Sequence, residues 1–363
     1  MPNLHFAEAP CPARAGRRAL MAAARSPWRG VLRALLCVAA GVFVLWGIGA
    51  LWYQAPLRWL WLWLAVWSVL GVATLRALAG RMPQPHRRRV RVAGLVAALA
   101  LLGWWQTVRP MHDRDWADDV TRLLDARVDG SRVTLHNVRN FDWTRDGDPA
   151  PRWETRSYDL DRLASADLVL SYWMGPAIAH TLVSFGFDDG SRVVFSLEIR
   201  KERQESFSAI GGFFKQFEAV LIAADERDIV RVRSNVRGEN VHLYRLAIPR
   251  EQLRTLFLAY VDEAGTLRQA PHFYNTVTSN CTTIVFDIAR HIAPGLPLDI
   301  RLLLSGWFAQ YAYAHGGLAG QGTFAQLETA GRITERARAA DRDPGFSRAI
   351  RRGVPGIPDA ETR

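Results

Sequence analysis

The chain has 363 residues, 49% of them apolar, which is room for a membrane region plus one or two compact domains and too apolar for general disorder. Its net charge of +11 is uneven: Met1 to Pro110 carries 14 arginines against the single acid Glu8, while the remainder is close to neutral. A basic excess confined to the flanks of apolar runs follows the positive-inside pattern, and it speaks against a nucleic-acid partner, which would need that charge on a folded domain.

Three apolar runs, Leu35 to Tyr53, Leu57 to Leu78 and Val90 to Val108, are each long enough to cross about 30 Å of hydrocarbon as a helix, the third being the shortest. The first passes almost directly into the second through Gln54-Ala55-Pro56 and lacks the short core of a cleaved leader, so it reads as a retained span. Arg14, Arg17, Arg18, Arg25, Arg29 and Arg33 precede the first run, and Arg76, Arg81, Arg87, Arg88, Arg89 and Arg91 separate the second from the third. Both segments are expected on the cytoplasmic side, which puts everything after Pro110 outside. Trp46, Trp52, Tyr53, Trp59, Trp61, Trp104 and Trp105 would then form an interfacial belt, although Trp61, Trp63 and Trp67 also suit packing between helices. The expected organisation is a cytoplasmic segment (1–30), a membrane region with three transmembrane helices (31–110), an outer α+β domain (111–332) and a charged tail (333–363).

In the outer domain, His112 to Ala126 reads as a polar helix with a narrow stripe of Trp116, Val120, Leu123 and Leu124. Arg132 to Phe141, Trp153 to Leu160 and Asp167 to Trp173 read as strands, with turns at Thr144 to Pro151 and Gly175-Pro176. A hairpin follows from His180 to Arg200. If Asp188-Asp189-Gly190 is a three-residue loop with Gly190 left-handed, Phe187 pairs with Ser191, and Val183, Phe185, Phe187, Val193, Phe195 and Leu197 share one apolar face. The same register sets His180 opposite Glu198. Gly211-Gly212-Phe213-Phe214 suits a packed turn, or else a lid or lipid-facing loop. Ile229 to Arg233 and Val241 to Leu246 alternate as strands, Pro249 opens a helix carried by Leu253, Leu256, Phe257, Tyr260 and Val261, and Ile300 to Tyr313 gives another. The tail beyond Ile333 is expected to wrap or to be loosely ordered.

Cys281 stands at the start of a further helix, with Asn280 as N-cap, Ile284, Val285, Ile288 and Ile292 on one face, and Pro294-Gly295 as the stop. A thiol in the first turn sits near unpaired backbone N–H groups and the positive end of the helix dipole, which favour the thiolate. The residues alone leave two readings open, a nucleophile or a small buried hydrophobe. His180 beside Glu198 is likewise either a base with its ring held by a carboxylate or a rim ion pair. His272 competes as the base. Cys11 precedes the first apolar run and Cys37 lies inside it, so no disulfide framework is available. There is no HExxH, CxxC, GxSxG or phosphate-binding glycine loop, and neither cofactor nor metal is expected.

The strings SYWMGPAIAHTLVSFGFDDGSRVVFSLEIRKE, GGFFKQFEAVLIAADERD, VHLYRL and HFYNTVTSNCTT, in that order, resemble the Lnb-type N-terminal periplasmic domain family, most closely from Leu168 to Thr283. The order of histidine, then cysteine after an asparagine, is similar to that of circularly permuted NlpC-type thiol hydrolases and lecithin:retinol acyltransferase. The resemblance implies a papain-like fold, Cys281 as nucleophile and His180 as base, with Glu198 and Arg200 on the matching second strand. Asn280 or Tyr274 would add an oxyanion donor to the backbone N–H groups of the cysteine helix. It also implies thiol-based acyl transfer or hydrolysis on a lipoprotein or phospholipid, whereas residence in the bacterial inner membrane with the domain in the periplasm follows from the spans and the arginines, since three spans ahead of the domain are not part of the name-giving member's architecture. A cell-wall peptide amidase and a non-enzymatic binding module are the alternatives.

Overall fold

The computed structural model describes residues 27–146 and 148–362. Cys11 and the arginines Arg14, Arg17, Arg18 and Arg25, on which part of the expected orientation rests, lie outside the described residues. The chain divides between Val108 and Arg109 into two compact units.

The first unit holds α1 (Pro27–Gln54), α2 (Leu57–Leu78) and α3 (Gln84–Thr107), each long and apolar enough to span a membrane. Small residues set their approach: a Cβ on Gly47 would fall 2.5 Å from the Trp67 ring, and one on Gly71 would fall 2.8 Å from Val44. Trp67 is a packing residue, 9% exposed with its indole N–H on the Val44 carbonyl (3.0 Å), whereas Trp61 at 71% faces outward. In the basic connection Arg87 donates to the carbonyls of Gly80 and Met82, and Arg91 to that of Ala77, satisfying the end of α2.

The second unit is a mixed α+β domain built on an eight-stranded sheet. Its strands are β1 (Asp125–Asp129), β2 (Arg132–Arg139), β3 (Asp142–Arg145), β4 (Asp148–Ala150), β5 (Trp153–Asp159), β6 (Leu163–Tyr172), β7 (Ala179–Phe187), β8 (Arg192–Arg200), β9 (Glu218–Ala224) and β10 (Asn240–Arg245). The main order is β1-β2-β9-β8-β7-β6-β10, with β5 paired to β2; β3 and β4 form a separate hairpin. The helices are α4 (Glu226–Arg231), α5 (Arg250–Gln269), α6 (Cys281–Ala289), α7 (Phe308–Ala314), α8 (Phe324–Gly331), α9 (Thr334–Ala339) and α10 (Phe346–Ala349).

The β7–β8 hairpin has the register that its alternation requires. Val183 pairs with Phe195 and Phe185 with Val193, the Phe187 N–H donates to the Ser191 carbonyl (3.0 Å), and Gly190 has φ +82°. Gly190→Val is therefore expected to cost about 1 kcal/mol or more, read as a lower urea midpoint at unchanged slope, because a β-branched residue resists positive φ. The apolar face packs under α5 and α6, where Phe185, Phe195, Phe257 and Tyr260 form a cluster of edge-on and stacked rings. The opposite face is buried as well: Leu182, Val194, Val220 and Ile222 lie beneath Ile229, Ile333, Ala337, Phe346 and Ile350. The segment beyond Ile333 wraps and supplies part of this second layer.

Three expectations give way. His112 to Ala126 is no helix: apart from a 3-10 turn at Asp118–Val120 it is irregular until β1 begins at Asp125, because Trp116 bridges to Glu202 and the Ala117 N–H donates to the Lys201 carbonyl (3.0 Å). Ile229 to Arg233 is helical, running through α4 into a π-helical turn at Val232–Val236; the Asp225 side chain caps the Arg227 N–H, and Glu226 and Asp228 suit the positive end of the helix. Ile300 to Tyr313 breaks into short pieces where the Gly306 N–H docks on the Ala177 carbonyl (3.0 Å).

Candidate functional site

Local hydrogen bonding fixes where α6 begins. Asn280 is extended (φ −115°, ψ 177°), its Oδ1 accepts from the N–H groups of Thr282 and Thr283 (2.9 Å each), and Thr283 Oγ1 accepts from the Asn280 N–H (2.8 Å). This capping box makes Cys281 the first helical residue. Asn280 is consumed by the task, since its Nδ2 also donates to the Thr276 carbonyl (2.8 Å). Thr282 meets Thr181 Oγ1 at 3.2 Å, which joins the first turn of α6 to the start of β7, where His180 stands.

Glu198 lies across from His180 on β8, with Nε2 to Oε1 at 3.1 Å. Ser196 adds a second route: its hydroxyl lies 2.7 Å from His180 Nε2 and donates to Glu198 Oε1 (2.7 Å). The tautomer that satisfies both carries its proton on Nε2, leaving Nδ1 to exchange a proton with the thiol. Arg233, in the π-helical turn, donates to the same Glu198 oxygen (2.8 Å) and lies 3.6 Å from Glu239, itself bonded to Ser171.

The Cys281 thiol is buried, at 6% exposure, and burial is the largest influence on its pKa, pushing it up. The charge of His180, a hydrogen bond from its ring and the Thr181 N–H outweigh that and leave the pKa below the ordinary thiol value. On His180, burial and the Arg233 charge push downward, but Glu198 and Cys281 carry it up to about 9. Burial raises Glu198, yet His180 and Arg233 hold it well below the usual carboxylate range. The three groups stabilise one another as thiolate, imidazolium and carboxylate. Tyr274 lies against the Cys281 backbone N–H; burial first, then the Cys281 and Glu198 charges, raises its pKa and keeps its hydroxyl a neutral donor.

The structure thus brings together Cys281, His180, Glu198 and Tyr274. It does not bring Arg200 to them. That guanidinium donates to the carbonyls of Val120 (3.0 Å) and Thr121 (2.7 Å), meets His112 (3.2 Å) and covers the Trp116 ring, so it holds the incoming chain against the sheet. His272 acts through its carbonyl, which accepts from the Ala219 N–H (2.9 Å). Sequence reasoning missed Ser196 and Arg233. Ser196 could have been found, since the hairpin register puts it one alternation before Glu198 on the same face; Arg233 was hidden by reading its segment as a strand.

Residues 150–306 match the family model of the Lnb N-terminal periplasmic domain. The matched range takes in His180, Ser196, Glu198, Arg233, Tyr274 and Cys281, so the whole constellation lies inside the part of the chain that is similar to that domain and not in the flanking segments. The apolar helices and the C-terminal layer lie outside it. No curated protein and no solved structure matches the chain significantly.

Proposed function

We propose that this protein is a membrane-anchored, periplasmic thiol enzyme that transfers or hydrolyses an acyl group held in an ester or amide, on a circularly permuted, papain-like NlpC-type domain. The observation that carries this reading is the buried Cys281 and His180 pair at a capped helix start, with His180 held by Ser196 and Glu198. An inert core cysteine needs none of these partners. Residence in the inner membrane rests on the three apolar helices and on the periplasmic domain that the family is named for.

In this mechanism the Cys281 thiolate attacks the carbonyl carbon, forming the C–S bond while the carbonyl electron pair moves to oxygen. In this reading the Cys281 N–H and the Tyr274 hydroxyl, which lie against each other, would receive that oxyanion. Collapse expels the alcohol or amine, which takes the proton from His180 and leaves an acyl thioester. An acceptor amine, or water, then gives its proton to His180 as it attacks the thioester and frees the thiolate. Glu198 keeps the ring oriented and supports its charge throughout.

Incubating the full chain with inner-membrane phospholipids, lipoproteins and cell-wall peptides, followed by mass spectrometry of the Cys281 peptide, tests the reading. An acyl adduct on Cys281 that is absent from His180→Ala identifies the donor. No adduct from any class, together with a thiol that resists alkylation until unfolding, would leave the domain a binding module.

A further inference from the structure

Large apolar side chains surround the approach to the site. Trp173 and Met174 stand on the loop that leads into His180; Phe207, Ile210 and Phe213 lie on the loop between β8 and β9; Val277 lies just before Cys281. All six are between 40% and 61% exposed. Two contacts make them neighbours. The Trp173 and Phe207 rings meet edge-on with centroids 5.0 Å apart, and Thr276 Oγ1 donates to the Ala209 carbonyl (2.8 Å). The loop also closes on the site itself: a Cβ on Gly212 would lie 3.5 Å from the Tyr274 ring, which touches the Cys281 backbone. Three separate loops therefore present apolar tips around one thiol, a pattern that a water-facing rim does not need.

The chain also supplies a surface for them. From Thr107, the last residue of α3, to Met111, whose N–H is bonded to Glu218 (3.0 Å), there are four residues, which span at most about 14 Å. Glu218 bridges to Phe273, beside Tyr274. The domain is thus tied to its apolar helices by a short strap that fastens next to the rim, and at such an effective concentration a modest apolar contact suffices.

We propose that the rim of Trp173, Met174, Phe207, Ile210, Phe213 and Val277 seats the domain on the outer leaflet of the bilayer that its helices enter, presenting Cys281 to bonds at headgroup depth. This rests on the thiol reading for its purpose but not for its geometry. Tryptophan and phenylalanine tips suit the interface, where an apolar face typically sinks about 5–10 Å.

The test uses the full chain with Cys11, Cys37 and Cys281 replaced by serine, or Cys281 by alanine should the serine chain not fold, in nanodiscs of phosphatidylethanolamine and phosphatidylglycerol. A nitroxide is placed at Ile210→Cys, at Phe213→Cys, or at the exposed polar position Glu251→Cys on α5. The labels at 210 and 213 are expected to collide more with oxygen than with a water-soluble nickel chelate, and the label at 251 to do the reverse. Equal access of the chelate to all three positions overturns the proposal. Dipolar broadening at 210 or 213 that vanishes on dilution with unlabelled chain overturns it in favour of a second copy. Because the background lacks the thiol, none of these outcomes depends on whether Cys281 is a nucleophile.

Discussion

Iodoacetamide is expected to alkylate Cys281 in the full chain at a pH below that of an ordinary thiol, about 8.5. The sign follows from the two linked groups. The pKa of Cys281 is lowered, so its thiolate is lost only as the pH falls through that lowered value, and His180 is raised, so the imidazolium persists until the pH rises through about 9. Between those limits the ion pair is complete; above about 9, alkylation continues but turnover falls, because the leaving group no longer finds an acid. His180→Ala removes the cation and should move the alkylation profile toward that of an ordinary thiol, with a loss of turnover of about 10²- to 10⁴-fold. Glu198→Gln should shift it less, the carboxylate acting through the ring. Cys281→Ser should abolish acyl-adduct formation while leaving the circular dichroism spectrum unchanged. Following the Cys281 peptide by mass spectrometry separates it from Cys11 and Cys37. A native Cys281 that resists reagent at every pH, indifferent to His180→Ala, would end the enzyme reading.

The second large effect lies far from the thiol in sequence. Arg351 is fully buried, with Nε on Asp167 (2.9 Å) and Nη1 on Glu226 (2.8 Å) and on the Ser347 carbonyl (2.7 Å). Asp167 also holds Arg245 (2.6 Å), and Glu361 reaches Arg245 (2.7 Å) and Arg192 (2.9 Å). Arg351→Met should therefore destabilise the outer domain by about 3–5 kcal/mol, because it leaves buried carboxylates short of a counter-charge. Burial raises the pKa of Glu226, but Arg351 overcomes it and holds the group near about 2. A lowered carboxylate stabilises the fold above its unfolded value, about 4.3, and that contribution fades as the pH falls toward about 2. The variant's deficit should accordingly shrink over the same range. Urea unfolding of the full chain, followed by near-ultraviolet circular dichroism at pH 7 and at about pH 3, inside that window, measures both; an unchanged midpoint at pH 7 would show that the network carries no net stability.

What could be read from the chain, and what could not, divides along the range of the interactions. The β7–β8 hairpin was legible because a period of two and one glycine-bearing loop permit a single register with an unbroken apolar face. The cysteine helix was legible because its cap is made by residues within four of each other. By contrast β9, Glu-Ala-Val-Leu-Ile-Ala-Ala, is buried on both faces and so lacks the alternation that marks a strand. The segment before β1 reads as helical by its local stripe, yet pairing of Trp116 with Glu202 keeps it from coiling, tertiary contact overriding weak propensity. The charged C-terminal segment left wrapping and loose order both open, and what decides for wrapping is that its Arg351 finds carboxylates on β6 and α4, more than a hundred residues away.

The sequence by itself determined the three apolar spans, the hairpin that faces His180 with Glu198, and the placement of Cys281 at a capped helix start, because length, periodicity and capping act between near neighbours. Only the tertiary structure decided that His180 meets Cys281, that Ser196 and Arg233 flank Glu198, and that Arg200 holds the entering chain. Each of those depends on where separate elements stop against one another, which is set by packing and buried charge pairing across the sheet and not by any local pattern.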